Sequence, residues 1–275
     1  MWARCRTTFS RNWAFPNPKS GCRSDEMRIV THNVLRMQGL PELADVKGGN
    51  PPDVPEILAR LYLDLKPHVV CLQEVQFAED AGHLAELLGM EFRFEPGRIA
   101  PKYGGAVFVD SKLTFTYKPI SSLQKRSFER ICQLVEIGVG DSPVTICNLH
   151  LPSGVGHPED GGEGVRMREI TEVISLGPDV IVGDLNAQPE SAVYRKLQKS
   201  GYIDTAVEAG KENVPTCGDR HKIRIDYVWT HSQANLMLAD YTVISRTKGI
   251  SGDVVRFLSD HLSVNAIFNT GGPKG

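Results

Sequence analysis

Hydrophobic and polar positions divide the chain into short apolar runs that each stop at a polar side chain, with helically spaced stretches between them. Residues 180–189 read Val-Ile-Val-Gly-Asp-Leu-Asn-Ala-Gln-Pro, which predicts a buried strand delivering a carboxylate and a carboxamide at its end. Strand alternation puts Asp184 and Asn186 on one face and turns Leu185 back into the core, with Pro189 ending the strand. An Asx turn closing the strand is the other reading of the same residues. Further strands are predicted at 27–35, 68–75, 104–109, 224–229 and 241–245, and a turn at Ser259 leads into a last strand ending at Phe268. Residues 131–137 and 144–151 read as a hairpin turning through Gly138–Pro143, and 112–118 as an edge strand. Helices are predicted over 54–65, with Ile57, Leu58, Leu61 and Leu65 on one stripe, and over 78–89, 165–176 and 190–199. The Gly- and Pro-bearing stretches 38–53, 95–103, 152–164 and 246–258 read as loops.

Composition adds bounds rather than chemistry. The chain has 275 residues, 41% of them hydrophobic and 23% charged, which is ordinary for a globular protein with a large core. No apolar segment reaches bilayer-spanning length. The net charge is -2, and no Lys/Arg run announces a general affinity for nucleic-acid backbones, although a local basic rim and a metal could serve a nuclease. Of the six cysteines, Cys71, Cys132 and Cys147 lie in strand-like apolar runs, and none forms a CxxC pair. This points to a reducing, intracellular, cytoplasmic setting and gives no sign of a zinc site. Residues 1–26 carry Arg4, Arg6, Arg11, Lys19 and Arg23 with no acid before Asp25. They read as a disordered leader or an organelle-targeting segment, ahead of a single domain spanning 27–270.

The polar residues left at strand ends are Asn33, Glu74, His150, Asp184, Asn186, Asp226, Asp260 and His261. Four carboxylates, two carboxamides and two imidazoles without a thiolate form a hard, oxygen-rich set that suits Mg²⁺, with Mn²⁺ as an alternative, over zinc. A carboxylate that ends a buried strand is costly unless a cation pairs with it. A divalent ion, a carboxylate to steer water and a histidine to manage protons together describe phosphoester hydrolysis.

The same residues carry a resemblance. Thr-His-Asn33, Leu-Gln-Glu74, Asn-Leu-His150, Gly-Asp184-Leu-Asn186, Ile-Asp226-Tyr and Ser-Asp260-His261 follow one another in the order found in the endonuclease/exonuclease/phosphatase (DNase I-like) superfamily, which the chain resembles from about Met27 to Phe268. The resemblance implies a four-layer α/β/β/α sandwich, with two mixed, mostly antiparallel sheets face to face, helices outside and the site at one edge. It implies Glu74 as the principal metal ligand, supported by Asn33 and Asp260. Asp184 would deprotonate the water, Asn186 would hold the phosphate, and His261, oriented by Asp226, would stabilise the transition state. His150 matches a position that bonds the phosphate or protonates the leaving group. Tyr103 resembles a phosphate-touching tyrosine of apurinic endonucleases, and Arg130 a phosphate-contacting arginine of deoxyribonucleases. An aromatic at a strand start and a solvated edge charge explain those two residues equally well.

Two departures narrow the family reading. The deoxyribonucleases place an acid before the strand that Gly105 begins, as partner to their histidine, where this chain has Tyr103 and Gly104, so the resemblance implies the proton-donor role of His150 less firmly than its bond to the phosphate. Inositol phosphatases carry an aromatic and an arginine after the central asparagine, where Ala187 and Gln188 stand here. The expectation is therefore a monomeric, Mg²⁺-dependent phosphodiesterase acting on nucleic acid or nucleotides, without membrane insertion. The alternative is a phospholipid headgroup or a small phosphorylated metabolite as substrate.

Overall fold

The computed structural model describes residues 26–38, 54–118, 120, 128–139, 142–218, 222–244, 248–251 and 254–271. Residues 1–25, most of the predicted 38–53 loop and the tip of the 138–143 turn lie outside them. In chain order, β1 (Glu26–Asn33) is followed by α1 (Val54–Leu65), β2 (Val69–Val75), α2 (Ala78–Leu88), β3 (Met90–Glu95), β4 (Gly104–Asp110), β5 (Phe115–Lys118), β6 (Ile131–Val139) and β7 (Ser142–His150). Then come α3 (Glu163–Leu176), β8 (Val180–Asp184), α4 (Ala192–Lys199), β9 (Tyr202–Asp204), α5 (Thr205–Glu208), β10 (Asp226–His231), β11 (Leu236–Ile244), β12 (Lys248–Ser251), β13 (Val254–Phe257) and β14 (Ser263–Thr270).

Two six-stranded sheets form, one ordered β11-β14-β1-β2-β4-β3 and the other β5-β6-β7-β8-β10-β9. Each is mixed. In the first, β1 lies parallel to β2 across the α1 crossover, and β14 and β4 flank the pair in antiparallel sense. In the second, β7 lies parallel to β8 across α3, with β6 and β10 antiparallel on either side. The two halves therefore share one pairing pattern, although the sequence shows no repeat.

Strand alternation sorts the apolar residues into layers. Met27, Ile29, Cys71, Val107, Val135, Ile146, Val182, Val228 and Phe268 belong to a cluster contributed by both sheets. Val30, Val70, Leu72 and Phe108 face the other way, against Leu58, Tyr62, Leu84 and Leu88 of α1 and α2. Leu149, Ile181 and Trp229 likewise meet Ile170 and Val173 of α3 and Leu197 of α4. Central strands are thus apolar on both faces, and each fully buried Val, Leu or Ile contributes about 1.5–3 kcal/mol. The result is the predicted α/β/β/α sandwich.

Local expectations needed correction at several places. The buried stripe of α1 is Val54, Leu58, Ala59 and Tyr62, with Ile57, Leu61 and Leu65 only partly covered, because the helix packs on both the sheet and α2. Residues 90–95, assigned no element, form edge strand β3. The 246–258 loop contains an antiparallel ribbon, β12 against β13. Among the described residues no helix is long and apolar enough to cross a membrane.

Toward one edge the layer between the sheets turns polar. Gln73 Nε2 donates to Asn148 Oδ1 at 2.7 Å and to Thr31 Oγ1 at 3.0 Å. Asn148 Nδ2 donates to Gln133 Oε1 at 2.8 Å and to Leu72 O at 3.0 Å. These buried groups span the two sheets, and their directional bonds fix relative position where apolar packing tolerates sliding, although Gln73 Oε1 has no partner among the described residues. The candidate site lies immediately beyond them.

Candidate active site

Strand ends and register bring the predicted residues together. Asn33 ends β1, His150 ends β7 and Asp184 ends β8, while Asp226 opens β10 directly opposite Asp184. Asp260 and His261 precede β14, which runs antiparallel to β1 and so begins where β1 ends. Close approach is built into the backbone. Gly183 has φ +131°, and a Cβ there would sit 1.9 Å from Leu149 O, so only glycine lets β8 lie against β7 at the residue before Asp184.

Asp184 is 2% exposed and sits at the centre of the network. Asn33 Nδ2 donates to its Oδ2 at 3.0 Å and the Asn186 amide donates to its Oδ1 at 2.9 Å. His150 Nε2 lies 3.4 Å and His261 Nε2 3.8 Å from the same Oδ2. Burial pushes this carboxyl up to about 7; the His261 charge and the two hydrogen bonds oppose the shift, and Asp226 adds to it. A carboxylate placed there is suited to exchange a proton with water near neutral pH.

His261 makes the second centre. Its Nδ1 lies 2.9 Å from Asp226 Oδ2 and 3.0 Å from Oδ1. Burial pulls the ring down, but Asp226 and Asp184 outweigh it and hold the imidazole well above its ordinary value. Thr216 fixes Asp226 in turn. Its hydroxyl donates to Asp226 Oδ2 at 2.7 Å and accepts from the amides of Ile225 and Asp226. Ser259 closes the loop, donating to Asn33 O at 2.6 Å and accepting from His261 N at 3.1 Å.

Asn186 is not on the strand. β8 stops at Asp184, Asn186 adopts φ +46°, and its amide closes the Asx turn with Asp184. Its side chain nevertheless reaches the site, with Nδ2 2.9 Å from Leu151 O and 3.3 Å from His150 Nε2. Leu185 points inward, as expected, at 1% exposure. His150 is held well below its ordinary value by burial and by the charges of Arg130 and His261. Its buried Nδ1 has no partner among the described residues, in keeping with Tyr103 and Gly104 standing where an acid would pair with it.

Glu74 occupies a β-bulge. The β2–β4 register shifts between Gln73 and Val75, and Glu74 takes φ +57°. A bulge re-aims a side chain, and a left-handed non-glycine residue costs of order 1–3 kcal/mol, so such strain gathers at functional sites. Arg130 Nη1 meets Glu74 Oε1 at 3.3 Å, Nη2 meets Ser153 Oγ at 3.1 Å, and the guanidinium lies 4.3 Å from the centre of the Tyr103 ring. Tyr103 and Arg130 thus form one unit with Glu74.

Among the described residues, two groups could hold a metal ion: Asp184–Asp226–His261 and Cys217–Asp260–His261. Glu74 is in neither. Asn33, expected beside the metal, commits Nδ2 to Asp184 and Oδ1 to the Leu35 amide.

A model of the Endonuclease/Exonuclease/phosphatase family matches residues 30–261. The chain belongs to this family. Membership makes it a phosphoric ester hydrolase of the nuclease and phosphatase type. Solved structures agree on the family fold. The human Nocturnin catalytic domain with bound sulfate is 19% identical with a TM-score of 0.67, over 90% of this chain and 95% of that one. D. rerio TDP2 complexed with single strand DNA product is 17% identical at TM-score 0.64, over 89% and 99%. An endonuclease/exonuclease/phosphatase family protein from Bacteroides thetaiotaomicron is 15% identical at TM-score 0.66, over 88% and 94%. A comparison with curated protein sequences finds no match. Within this candidate site, Thr216 and Cys217 carry no sequence signal, because they lie outside any periodic segment. Gln73 and Asn148 stood inside the quoted motifs without being assigned a role.

Proposed function

We propose that the protein is a Mg²⁺-dependent phosphodiesterase acting on nucleic-acid or nucleotide phosphodiesters. The observation that carries this reading is the convergence of Asn33, Asn186, His150 and His261 on the single carboxylate of Asp184. Asp184, ionised, takes a proton from water, whose oxygen attacks phosphorus in line as the bond to the leaving oxygen breaks. The Asn186 Nδ2 and a protonated His261 Nε2 donate to the phosphoryl oxygens as charge builds there, and Asp226 holds the ring in place through Nδ1. His150, kept neutral by burial, bonds the phosphate, and the leaving oxygen takes its proton from solvent. Arg130 places a fork-shaped cation, backed by Tyr103, for a phosphate oxygen.

Glu74 and Asp260 offer carboxylate oxygens of the kind Mg²⁺ and Mn²⁺ prefer, and Asn33 would share its Oδ1 between the cation and the Leu35 amide. Glu74, set at the bulge and paired with Arg130 Nη1 at 3.3 Å, offers such an oxygen. A divalent cation held by them would supply charge stabilisation to the reacting phosphate. The single strand DNA product in the TDP2 structure and the sulfate in the Nocturnin domain support a phosphate-bearing substrate.

The test is Asp184→Asn assayed with Mg²⁺ on single-stranded RNA, abasic DNA, sphingomyelin and sugar phosphates. Hydrolysis is expected to fall by about 10²–10⁴-fold, the range for loss of a general base, with thermal stability retained because a buried charge is removed. Near wild-type turnover would reject Asp184 as the base, and activity surviving a chelator would reject the metal. Turnover confined to sphingomyelin or sugar phosphates would leave a phosphoesterase but overturn the nucleic-acid reading.

A further inference from the structure

Cys217 plays no part in the reaction proposed above, yet its thiol faces it. Sγ lies 3.5 Å from His261 Nε2, and the residue is partly exposed rather than buried. Cys217, Asp260 and His261 each offer one donor atom, all within 4.8 Å of one another.

The backbone sets this geometry. Cys217 makes antiparallel bridges to both Ile223 and His261. On either side of the second bridge, Gly218 N donates to Asp260 O at 2.9 Å and Leu262 N donates to Thr216 O at 2.7 Å. The three donors are therefore pre-arranged rather than gathered by a mobile loop. His261 is also presented as metal-binding histidines are: its Nδ1 is tied to a carboxylate, Asp226, which directs Nε2 outward toward the thiol. Thiolate, imidazole and carboxylate together form a borderline-soft set that suits zinc-like ions, whereas Mg²⁺ seeks oxygen donors in octahedral array.

We propose that Cys217, Asp260 and His261 form an inhibitory site for a thiophilic divalent cation such as Zn²⁺ or Cd²⁺. Binding releases the thiol proton, and any proton on Nε2, to solvent. The fourth position falls to water. A cation there takes the Nε2 that would otherwise donate to phosphate and engages Asp260, so hydrolysis stops. The binding rests on geometry alone, while the inhibition rests on the role proposed for His261. The absence of any CxxC pair concealed the site, because its ligands meet only through the fold.

The test titrates Cd²⁺ into the full-length chain and into Cys217→Ser, reading the ultraviolet thiolate-to-cadmium absorption and, in parallel, Mg²⁺-supported hydrolysis. A saturable band present in wild type and missing from the variant is expected, with the inhibitory Cd²⁺ concentration rising by about tenfold or more, in the range for disrupted metal sites. No band in wild type, or the same band in the variant, overturns the site. Loss of the band with undiminished inhibition overturns the inhibitory role and keeps the site. Cys217→Ala and a melting curve for each variant separate loss of a ligand from loss of fold. Should wild type hydrolyse no phosphodiester, the function proposed above fails, and the band still decides the metal site.

Discussion

Glu169 tests the structure where a charge is buried on purpose. It faces inward from α3 beside Val165, Ile170 and Val173 at 1% exposure. Its Oε1 accepts from the Glu129 amide at 2.9 Å, while Oε2 has no partner among the described residues. Burial pushes the carboxyl up to about 7 from 4.5, with the hydrogen bond from Glu129 opposing. A carboxyl raised on folding leaves its stabilisation intact below about pH 4.5 and loses it as pH rises through about 7. At 1.36 kcal/mol per unit, ionising Glu169 costs the fold about 3 kcal/mol above that window, and relaxation brings the expected net effect to about 2 kcal/mol. Glu169→Gln keeps an acceptor for Glu129 and removes the charge. It should match wild type at pH 4.5 and melt roughly 5 °C higher at pH 8. Because Glu129 precedes Arg130, the neutral variant should also keep its activity, whereas Glu169→Leu should lose activity by freeing the Arg130 backbone. Thermal melts across pH 4–9 decide the matter; a Glu169→Gln that is less stable at pH 8, or whose advantage ignores pH, would falsify this account.

Gly183→Ala should destabilise by about 3 kcal/mol or more in denaturant melts, since its Cβ would overlap Leu149 O at 1.9 Å. Arg130→Lys keeps the charge but loses the fork that meets Glu74 and Ser153 and the stacking on Tyr103; kcat/KM should drop by about tenfold or more, and an unchanged value would remove Arg130 from phosphate binding. Thr216→Val strips Asp226 of a donor and orphans two buried amides, so a loss of about 1–3 kcal/mol of stability is expected alongside reduced turnover.

What could be read in advance follows from which physics is periodic. Apolar runs that stop at polar residues marked β2, β7 and β8, because strands buried on both faces have no other way to end in chemistry. Gly89 after α2, with φ +66°, was visible for a similar reason. The bulge at Glu74 was not, since a left-handed glutamate leaves no trace in residue type. The turn at Asn186 was one of two open readings, and tertiary contacts with Leu151 and His150 chose it. β9, three residues long, is too short for any period to register, whereas β3, left without an assigned element, does carry the alternation Met-Glu-Phe-Arg-Phe-Glu. Thr216 and Cys217 acquire meaning only from the bridges that set them against His261.

The position of the site follows from strand pairing more than from any motif. Each sheet is organised about one parallel pair, β1 with β2 and β7 with β8, so four strands end on the same side of the sandwich. A side chain can leave the apolar interlayer only at such an end, and antiparallel neighbours begin there: Asp226 opposite Asp184, and Val264 opposite Thr31. Two acids facing each other across β8 and β10 would repel if left alone. His261, placed between them by the turn that starts β14, supplies the compensating charge. Moving β14 by one residue against β1 would turn its core-facing side chains outward and misplace His261 in the same step, so the packing that holds the sandwich together also positions the imidazole on which the chemistry depends.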